Sequence, residues 1–149
     1  MEIKAQLLEK CKVFVENRLQ NIQETIASNQ NALTSEVKSS AGDKHETGRA
    51  MLQLEIEKAS QQLIGVAEMK TVLSRIDVSK TTSLIHLGSI VYTNFGNFFL
   101  SISAGKFTVE NDVFFAVSIS SPIGKLLLGK KENDTFNFNG KNYNIILRR

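Results

Sequence analysis

The chain has 149 residues, of which 42% are hydrophobic, and it carries a formal net charge of +3 with a single proline. This length allows one compact domain or two small ones, and the composition is that of an ordinary globular protein. Charged residues recur from Glu2 to Arg18, which excludes an uninterrupted apolar segment of the kind that acts as a signal peptide or crosses a membrane. We therefore expect a cytoplasmic protein that does not associate with a membrane.

The residues that most often carry catalysis are scarce. The sequence has no Cys/His cluster for zinc, no glycine-rich phosphate loop and no nucleophile elbow, so a self-contained hydrolase or transferase is not expected. Cys11 stands at an apolar position of a helical repeat and is interpreted as a buried core residue, with a reactive thiol as the alternative. His86 lies in an apolar context, which favours a packed histidine over a ligand.

Two long helical patterns occupy the first half of the chain. In each, apolar residues recur mostly three or four positions apart, in narrow stripes typical of coiled coils. The first stripe comprises Ile3, Leu7, Cys11, Phe14, Leu19, Ile22, Ile26 and Leu33, and the second comprises Leu52, Ile56, Ala59, Leu63, Val66, Leu73 and Ile76. Helices of this length joined by a short connection pair antiparallel, so residues 1–77 are predicted to form a coiled-coil hairpin, a rod of roughly 45 Å.

The connection between these helices, residues 39–49, is polar and is called the tip segment. Asp43 or Thr47 is a candidate cap for the second helix, and an Asp followed three positions later by Glu46 is a capping signature. The functional alternative uses the same spacing, because residues three apart on a helix share a face and both carboxylates could then bind one divalent cation. His45 lies between them, either as a contact for a proton or substrate or as an exposed tip residue.

Short alternating apolar runs follow a polar linker that begins near residue 78. Strands are predicted at residues 89–93, 97–102 and 113–119, a short helix at 122–128, and a closing hairpin at 135–138 and 143–147 with an Asn-Gly turn. We predict a small antiparallel β domain over residues 78–149. The whole chain is then an α+β protein.

Together these features resemble the bacterial Gre family of transcript cleavage factors. The resemblance is carried by the helical hairpin, by Gly42-Asp43-xx-Glu46 at the tip, and by a segment that follows the third strand. That segment contains Ser121, Pro122, Ile123, Gly124 and Lys125, then Leu128-Gly129-Lys130 and Asp134. The likeness spans nearly the whole chain, and it implies that the β domain has an FKBP-like fold.

The resemblance implies a monomeric partner of core RNA polymerase. Residues 121–125 would dock the β domain outside the secondary channel, and the rod would carry the tip to the polymerase active centre. There Asp43 and Glu46 would help to hold a Mg²⁺ shared with the polymerase, so that backtracked RNA is cleaved. Lys44, His45 and Arg49 would contact the RNA 3′ end or other groups near the tip.

The chain departs from the family pattern after Glu46. It continues with Thr47, Gly48, Arg49, Ala50 and Met51, without the family's aromatic residue, and the family's basic patch along the rod has no clear counterpart. Two alternatives therefore stand beside a cleavage factor. One is a regulator that occupies the channel and changes pausing or initiation without cleavage, and the other is a coiled-coil scaffold whose tip is merely capped.

Overall fold

A computed structural model describes the backbone of residues 2–38 and 42–149 and the side chains of residues 2–35 and 47–149. The fold is α+β, with two long helices followed by a six-stranded mixed sheet. Helix α1 spans Ile3–Lys38 and helix α2 spans Gly42–Ser74. Neither contains proline, which would interrupt the backbone ladder. The two predicted long helices are thus confirmed. No helix in the described part of the chain is long and apolar enough to cross a membrane.

The second half forms the sheet and one short helix. Its elements are β1 (Ile90–Thr93), β2 (Gly96–Ser101), β3 (Gly105–Val109), β4 (Asp112–Ser118), helix α3 (Pro122–Leu127), β5 (Thr135–Phe138) and β6 (Lys141–Arg148). The predicted closing hairpin is confirmed. Asn139 and Gly140 both have positive φ angles, as a two-residue turn of this kind requires.

The prediction of an antiparallel sheet is wrong in one respect. The strand order is β3-β4-β2-β1-β6-β5, and β2 pairs with β4 in parallel while the other neighbours are antiparallel. Strand β3 is the cause, because it takes the sheet edge and turns back at Glu110 and Asn111, which both have positive φ. The returning β4 then lies beside β2 and runs in the same direction.

Strand β3 itself was not expected from the sequence. No strand is predicted between residues 102 and 113, because glycine and lysine, the types at Gly105 and Lys106, are depleted in strands. At the sheet edge this sequence is tolerated, because an edge strand has one side free of pairing and benefits from a charged residue.

The chain forms two compact units. One unit contains Val15–Met69, and the other contains Met1–Phe14 together with Lys70–Arg149. The first turns of α1 therefore pack with the sheet, and Leu7 and Cys11 are fully buried. Among the described side chains of the helical unit, the buried apolar ones are Val15, Ile22, Ala59 and Val66. Phe14, which was predicted in the first stripe, is only half-buried, while Val15 beside it is buried.

One hydrophobic cluster of the sheet unit lies on the sheet face that carries α3. Its buried members are Ile85, Val91, Phe98, Leu100, Leu127, Phe136 and Ile145. Ile123 and Leu126 of α3 pack against this cluster, so the short helix is fixed on the sheet by its apolar side.

Candidate functional site

The tip residues with predicted chemistry lie in the first turns of α2. The helix begins at Gly42, so Asp43 and Glu46 occupy helical positions three apart, which share a face. The side chains of Asp43, Lys44, His45 and Glu46 lie outside the described residues, and their predicted roles stay predictions. Asp43 and Thr47 both lie inside the helix, so the prediction that one of them is its N-terminal cap is wrong.

Among the tip residues predicted to bind a metal or contact RNA, Arg49 is the one whose side chain the structure describes. It is half-buried, whereas Ala50 and Met51, which follow it, are exposed. It lies three residues before Leu52 and seven before Ile56, two further half-buried positions. This spacing places Arg49 on the less exposed stripe of α2, on the side where Leu52 and Ile56 lie.

Among the side chains that the structure describes, no group of three or more His, Cys, Asp or Glu residues is placed to bind a metal ion. The predicted Mg²⁺ ligands, Asp43 and Glu46, are outside that set. Their fit to the ion rests on donor chemistry, since a hard divalent cation prefers carboxylate oxygens and keeps several waters.

The predicted docking segment, residues 121–125, forms the N-terminal turn of α3. The Ser121 hydroxyl accepts a hydrogen bond from the Gly124 backbone N–H at 3.1 Å and donates one to the Ser118 carbonyl at 2.6 Å. Pro122 follows at the first helical position, where its missing N–H has no intrahelical partner to lose. The Ser-Pro pair therefore starts the helix, and its serine is also bonded to the end of β4.

Gly124 has a steric role that the sequence did not reveal. A Cβ atom at this position would lie 2.0 Å from the Ser118 carbonyl oxygen and 2.9 Å from the Ser121 hydroxyl oxygen. Only glycine lets the first turn of α3 approach the end of β4 so closely. Of the five predicted docking residues, Pro122 and Lys125 are exposed and Gly124 is buried.

The segment after α3 is tied to the loop that precedes β1. The Ile85 N–H donates to the Lys130 carbonyl at 2.7 Å, and the Gly129 N–H donates to the Ile85 carbonyl at 2.8 Å. Gly129 has a positive φ of 83°, which ends α3 and turns the chain toward Ile85. The Leu-Gly-Lys motif thus fixes the C-terminal end of α3.

An aromatic cluster surrounds Tyr143 on the sheet face that carries α3. The Tyr143 ring stacks on Phe136 with centroids 5.1 Å apart and meets Phe95 edge-on at the same distance. Phe98 links this group to Phe115, and Phe95 and Phe115 are exposed. Phe95 stands in a turn between Asn94 and Gly96, a position that could have marked it as a surface residue.

His86 makes side-chain hydrogen bonds within the loop before β1. Its Nδ1 atom lies 2.9 Å from the Thr82 hydroxyl and 3.0 Å from the Ser89 hydroxyl. Because Thr82 donates its own hydrogen to the Leu84 carbonyl at 2.6 Å, an Nδ1–H group can donate to Thr82. Ser89 is buried, so this Ser-His pair is not accessible for nucleophilic catalysis.

A cavity of about 480 Å³ lies near the start of α1, within the sheet unit. Lys4 lines it, and its ammonium group donates to the Lys80 carbonyl at 3.4 Å. Burial lowers the pKa of Lys4 below the usual lysine value. The other charged lining residues are Glu2, Glu110, Arg148 and Arg149. The cavity wall thus carries acidic and basic groups in similar number and has no marked charge preference.

Comparison of the chain with protein-family models finds no match, and comparison with curated proteins finds no significant similarity.

Proposed function

We propose that this protein stimulates RNA cleavage by RNA polymerase in the manner of the Gre family, with α1 and α2 as an antiparallel coiled-coil hairpin and the sheet unit as an FKBP-like docking domain. The observation that carries the proposal is the burial pattern of the helical unit. Ile22, Ala59 and Val66 are buried in a unit whose described residues all belong to α1 or α2. A lone helix leaves its side chains exposed, so burial of one stripe on each helix supports pairing of the two.

The spacing of the less exposed residues also supports a coiled coil. On α2 the less exposed positions include Leu52, Ile56, Ala59, Leu63 and Val66, separated alternately by four and three residues. This is the heptad spacing that keeps one seam facing a partner helix. The seam continues through Arg49 toward the tip segment, which supports a hairpin that stays paired close to Asp43 and Glu46.

In this proposal the sheet unit holds the protein on the polymerase. Ser121, Pro122, Ile123, Gly124 and Lys125 form the docking segment. The hydrogen bonds that the Ser121 hydroxyl makes with the Ser118 carbonyl and the Gly124 N–H support a preorganised surface, because they fix the segment before any partner is bound.

At the tip, Asp43 and Glu46 supply carboxylate oxygens for a Mg²⁺ shared with the polymerase. Such a metal stabilises the charge that develops on attacking and leaving oxygens during phosphodiester cleavage. Lys44 and Arg49 provide positive charge for RNA phosphates, and His45 is placed to contact the substrate or to move a proton. The reaction itself belongs to the polymerase, and this chain completes its site.

A second candidate is a channel regulator that does not promote cleavage. It is favoured by the absence of an aromatic residue from Thr47 to Met51, where the chain departs from the family it resembles.

The deciding experiment is a cleavage assay on a purified backtracked elongation complex. Asp43→Asn and Glu46→Gln should each lower the stimulated cleavage rate by more than about a hundredfold while binding to the polymerase is kept. Glu57→Gln is the matched control, since Glu57 is an exposed carboxylate farther along α2.

The other outcomes separate the alternatives. Full activity of both tip variants would refute the metal role. Changed pausing without shortened transcripts would identify the regulator, and failure to bind core polymerase would leave the coiled-coil scaffold.

A further inference from the structure

A row of aromatic rings crosses one face of the sheet. Phe98 of β2 pairs with Phe115 of β4, and both side chains therefore point to the same face. Phe136 of β5 pairs in the same way with Tyr143 of β6. The ring centroids of Phe98 and Tyr143 lie 6.4 Å apart, which joins the two pairs. The aromatic row consists of Phe95, Phe98, Phe115, Phe136, Phe138 and Tyr143.

Phe95 is held in solvent by a turn that has its own hydrogen bonds. Its side chain is 49% exposed, and its N–H donates to the Thr93 hydroxyl at 3.2 Å. The preceding Asn94 side chain donates to the Asn142 carbonyl at 3.2 Å and accepts from the Asn144 N–H at 2.8 Å. A ring that is fixed in this way before a ligand arrives loses little conformational freedom on binding.

Lysine side chains lie at both ends of the aromatic row. Lys106, on the edge strand β3, pairs with Phe115 and is exposed. Near the opposite edge, the ammonium groups of Lys141 and Lys130 each lie over a ring of the row, 5.3 and 5.9 Å from its centroid. The row thus combines aromatic rings with three cations.

The carboxylates of residues 78–149 do not belong to the row. Asp112 stands three positions before Phe115 in β4, so its side chain points to the opposite face. Glu110 lines the cavity near the start of α1. Glu132 and Asp134 accept hydrogen bonds from backbone N–H groups, at 3.5 and 2.9 Å. The lysines therefore give the row a net positive charge.

We propose that the aromatic row binds single-stranded nucleic acid. Unpaired bases stack on aromatic rings, and lysine side chains neutralise the phosphates between them. These are the two features that binding of a single strand without sequence preference requires, and the row has both. Such binding does not require the proposed function, since it involves the sheet unit alone.

A protein partner is a poorer occupant. Stable protein interfaces bury about 800 Å² on each partner, and the two exposed rings, Phe95 and Phe115, fall well short of that area. A protein would also have to supply partners for the lysine ammonium groups that it covers. Phosphates supply that negative charge at regular intervals along the strand.

The test measures binding of labelled oligouridylate and oligothymidylate of about 12 nucleotides to the full-length protein by fluorescence anisotropy. Phe95→Leu/Phe115→Leu keeps apolar side chains but removes the aromatic faces, and it should weaken binding by about tenfold. Phe107→Leu is the matched control. Phe107 pairs with Phe114 on the opposite face of the sheet, so this variant should bind like the wild type.

The lysines are tested by the salt dependence of the affinity. Lys106→Gln/Lys141→Gln should weaken binding at low salt and lower the slope of log K against log salt by about one for each lysine. Lys12→Gln is the control, because Lys12 is exposed on α1 and lies outside the row. Unchanged slopes in the double lysine variant would overturn the proposed phosphate contacts.

The remaining outcomes identify the ligand. Binding of either single strand supports the proposal, and the tighter one shows whether RNA or DNA is preferred. Equal binding of a duplex, whose bases are already stacked, would overturn it, as would full binding by Phe95→Leu/Phe115→Leu. Photo-crosslinks from thiouridine should map to the peptides that contain Phe95 and Tyr143, and crosslinks confined to α1 or α2 would also overturn it. Thermal melting verifies that the double variants are folded.

Discussion

The sulfur atom of Cys11 lies 3.6 Å from the hydroxyl oxygen of Ser101, and both side chains are buried. Ninety positions of sequence separate the two residues, so this contact joins the first turns of α1 to β2. The interpretation of Cys11 as a buried core residue is confirmed. Burial raises the pKa of its thiol from 9.0 to about 11, which makes the thiolate scarce in the folded protein at neutral pH.

This pKa predicts a loss of stability at high pH. Between pH 9 and about 11 the unfolded thiol releases its proton while the folded thiol keeps it, so ionisation favours the unfolded state. The free energy of unfolding of the wild type, relative to Cys11→Ala, should fall by about 2 to 3 kcal/mol across this range. Chemical denaturation at several pH values measures the difference. A difference that does not change with pH would contradict the prediction.

The lowered pKa of Lys4 predicts that the free energy of unfolding changes with pH in the opposite direction. Burial lowers its pKa, so just below pH 10.5 the unfolded state binds the proton more strongly and stability rises with pH. Lys4→Met should stabilise the protein slightly, by less than about 1 kcal/mol at neutral pH, because an apolar side chain of similar length replaces a partly buried ammonium whose charge is partly screened by solvent. This advantage should shrink toward pH 10.

Lys12→Met is the control for that comparison, since Lys12 lies on the same helix and is exposed. It should change the free energy of unfolding little at any pH. Equal effects of the two substitutions would show that burial of Lys4 does not affect stability.

Two glycine substitutions are expected to change the stability of the protein in opposite directions. Gly124→Ala should destabilise the sheet unit by about 2 to 4 kcal/mol, because its Cβ would collide with the Ser118 carbonyl. Gly65→Ala should stabilise α2 by about 0.5 to 1 kcal/mol, since its Cβ would meet no atom within 4 Å and alanine favours helix. Thermal unfolding of both variants measures these changes in stability. A Gly124→Ala protein as stable as the wild type would refute the steric argument.

Ser121→Ala tests the start of α3. Loss of the N-cap hydroxyl leaves the Gly124 N–H and the Ser118 carbonyl without this partner and should cost about 1 kcal/mol of stability. Ser120→Ala is the neighbouring control, because Ser120 is exposed and is not the cap. The denaturant concentrations at the unfolding midpoints of the two variants should differ. Identical midpoints would show that the Ser121 hydroxyl is not needed to begin the helix.

Local patterns in the sequence predicted the elements better than their pairing. The start of α3 at Pro122 and the Asn139-Gly140 turn follow from signals a few residues long. The parallel pairing of β2 with β4 depends on where β3 lies, and alternation within a strand does not specify its neighbour. The sheet was therefore predicted as antiparallel, and β3 was missed.

For the candidate site as well, features with a local cause were predicted and features that depend on distant residues were not. Proline at the first position of α3 was foreseen, because its effect is local. The need for glycine at position 124 was not, since it depends on the Ser118 carbonyl at the end of β4. Val15 replaces Phe14 as the buried side chain because burial depends on which face of α1 the neighbouring elements cover. The roles of Asp43 and Glu46 stay predictions.

The position of β6 affects how the protein folds during synthesis. This strand lies between β1 and β5. Neither neighbour can pair with it until residues 141–148 have left the ribosome. Helical turns form quickly from local contacts, whereas such distant pairings form slowly. We therefore expect α1 and α2 to acquire helical structure early, while the first fourteen residues, which pack with the sheet unit, reach their final environment only after β6 has joined β1.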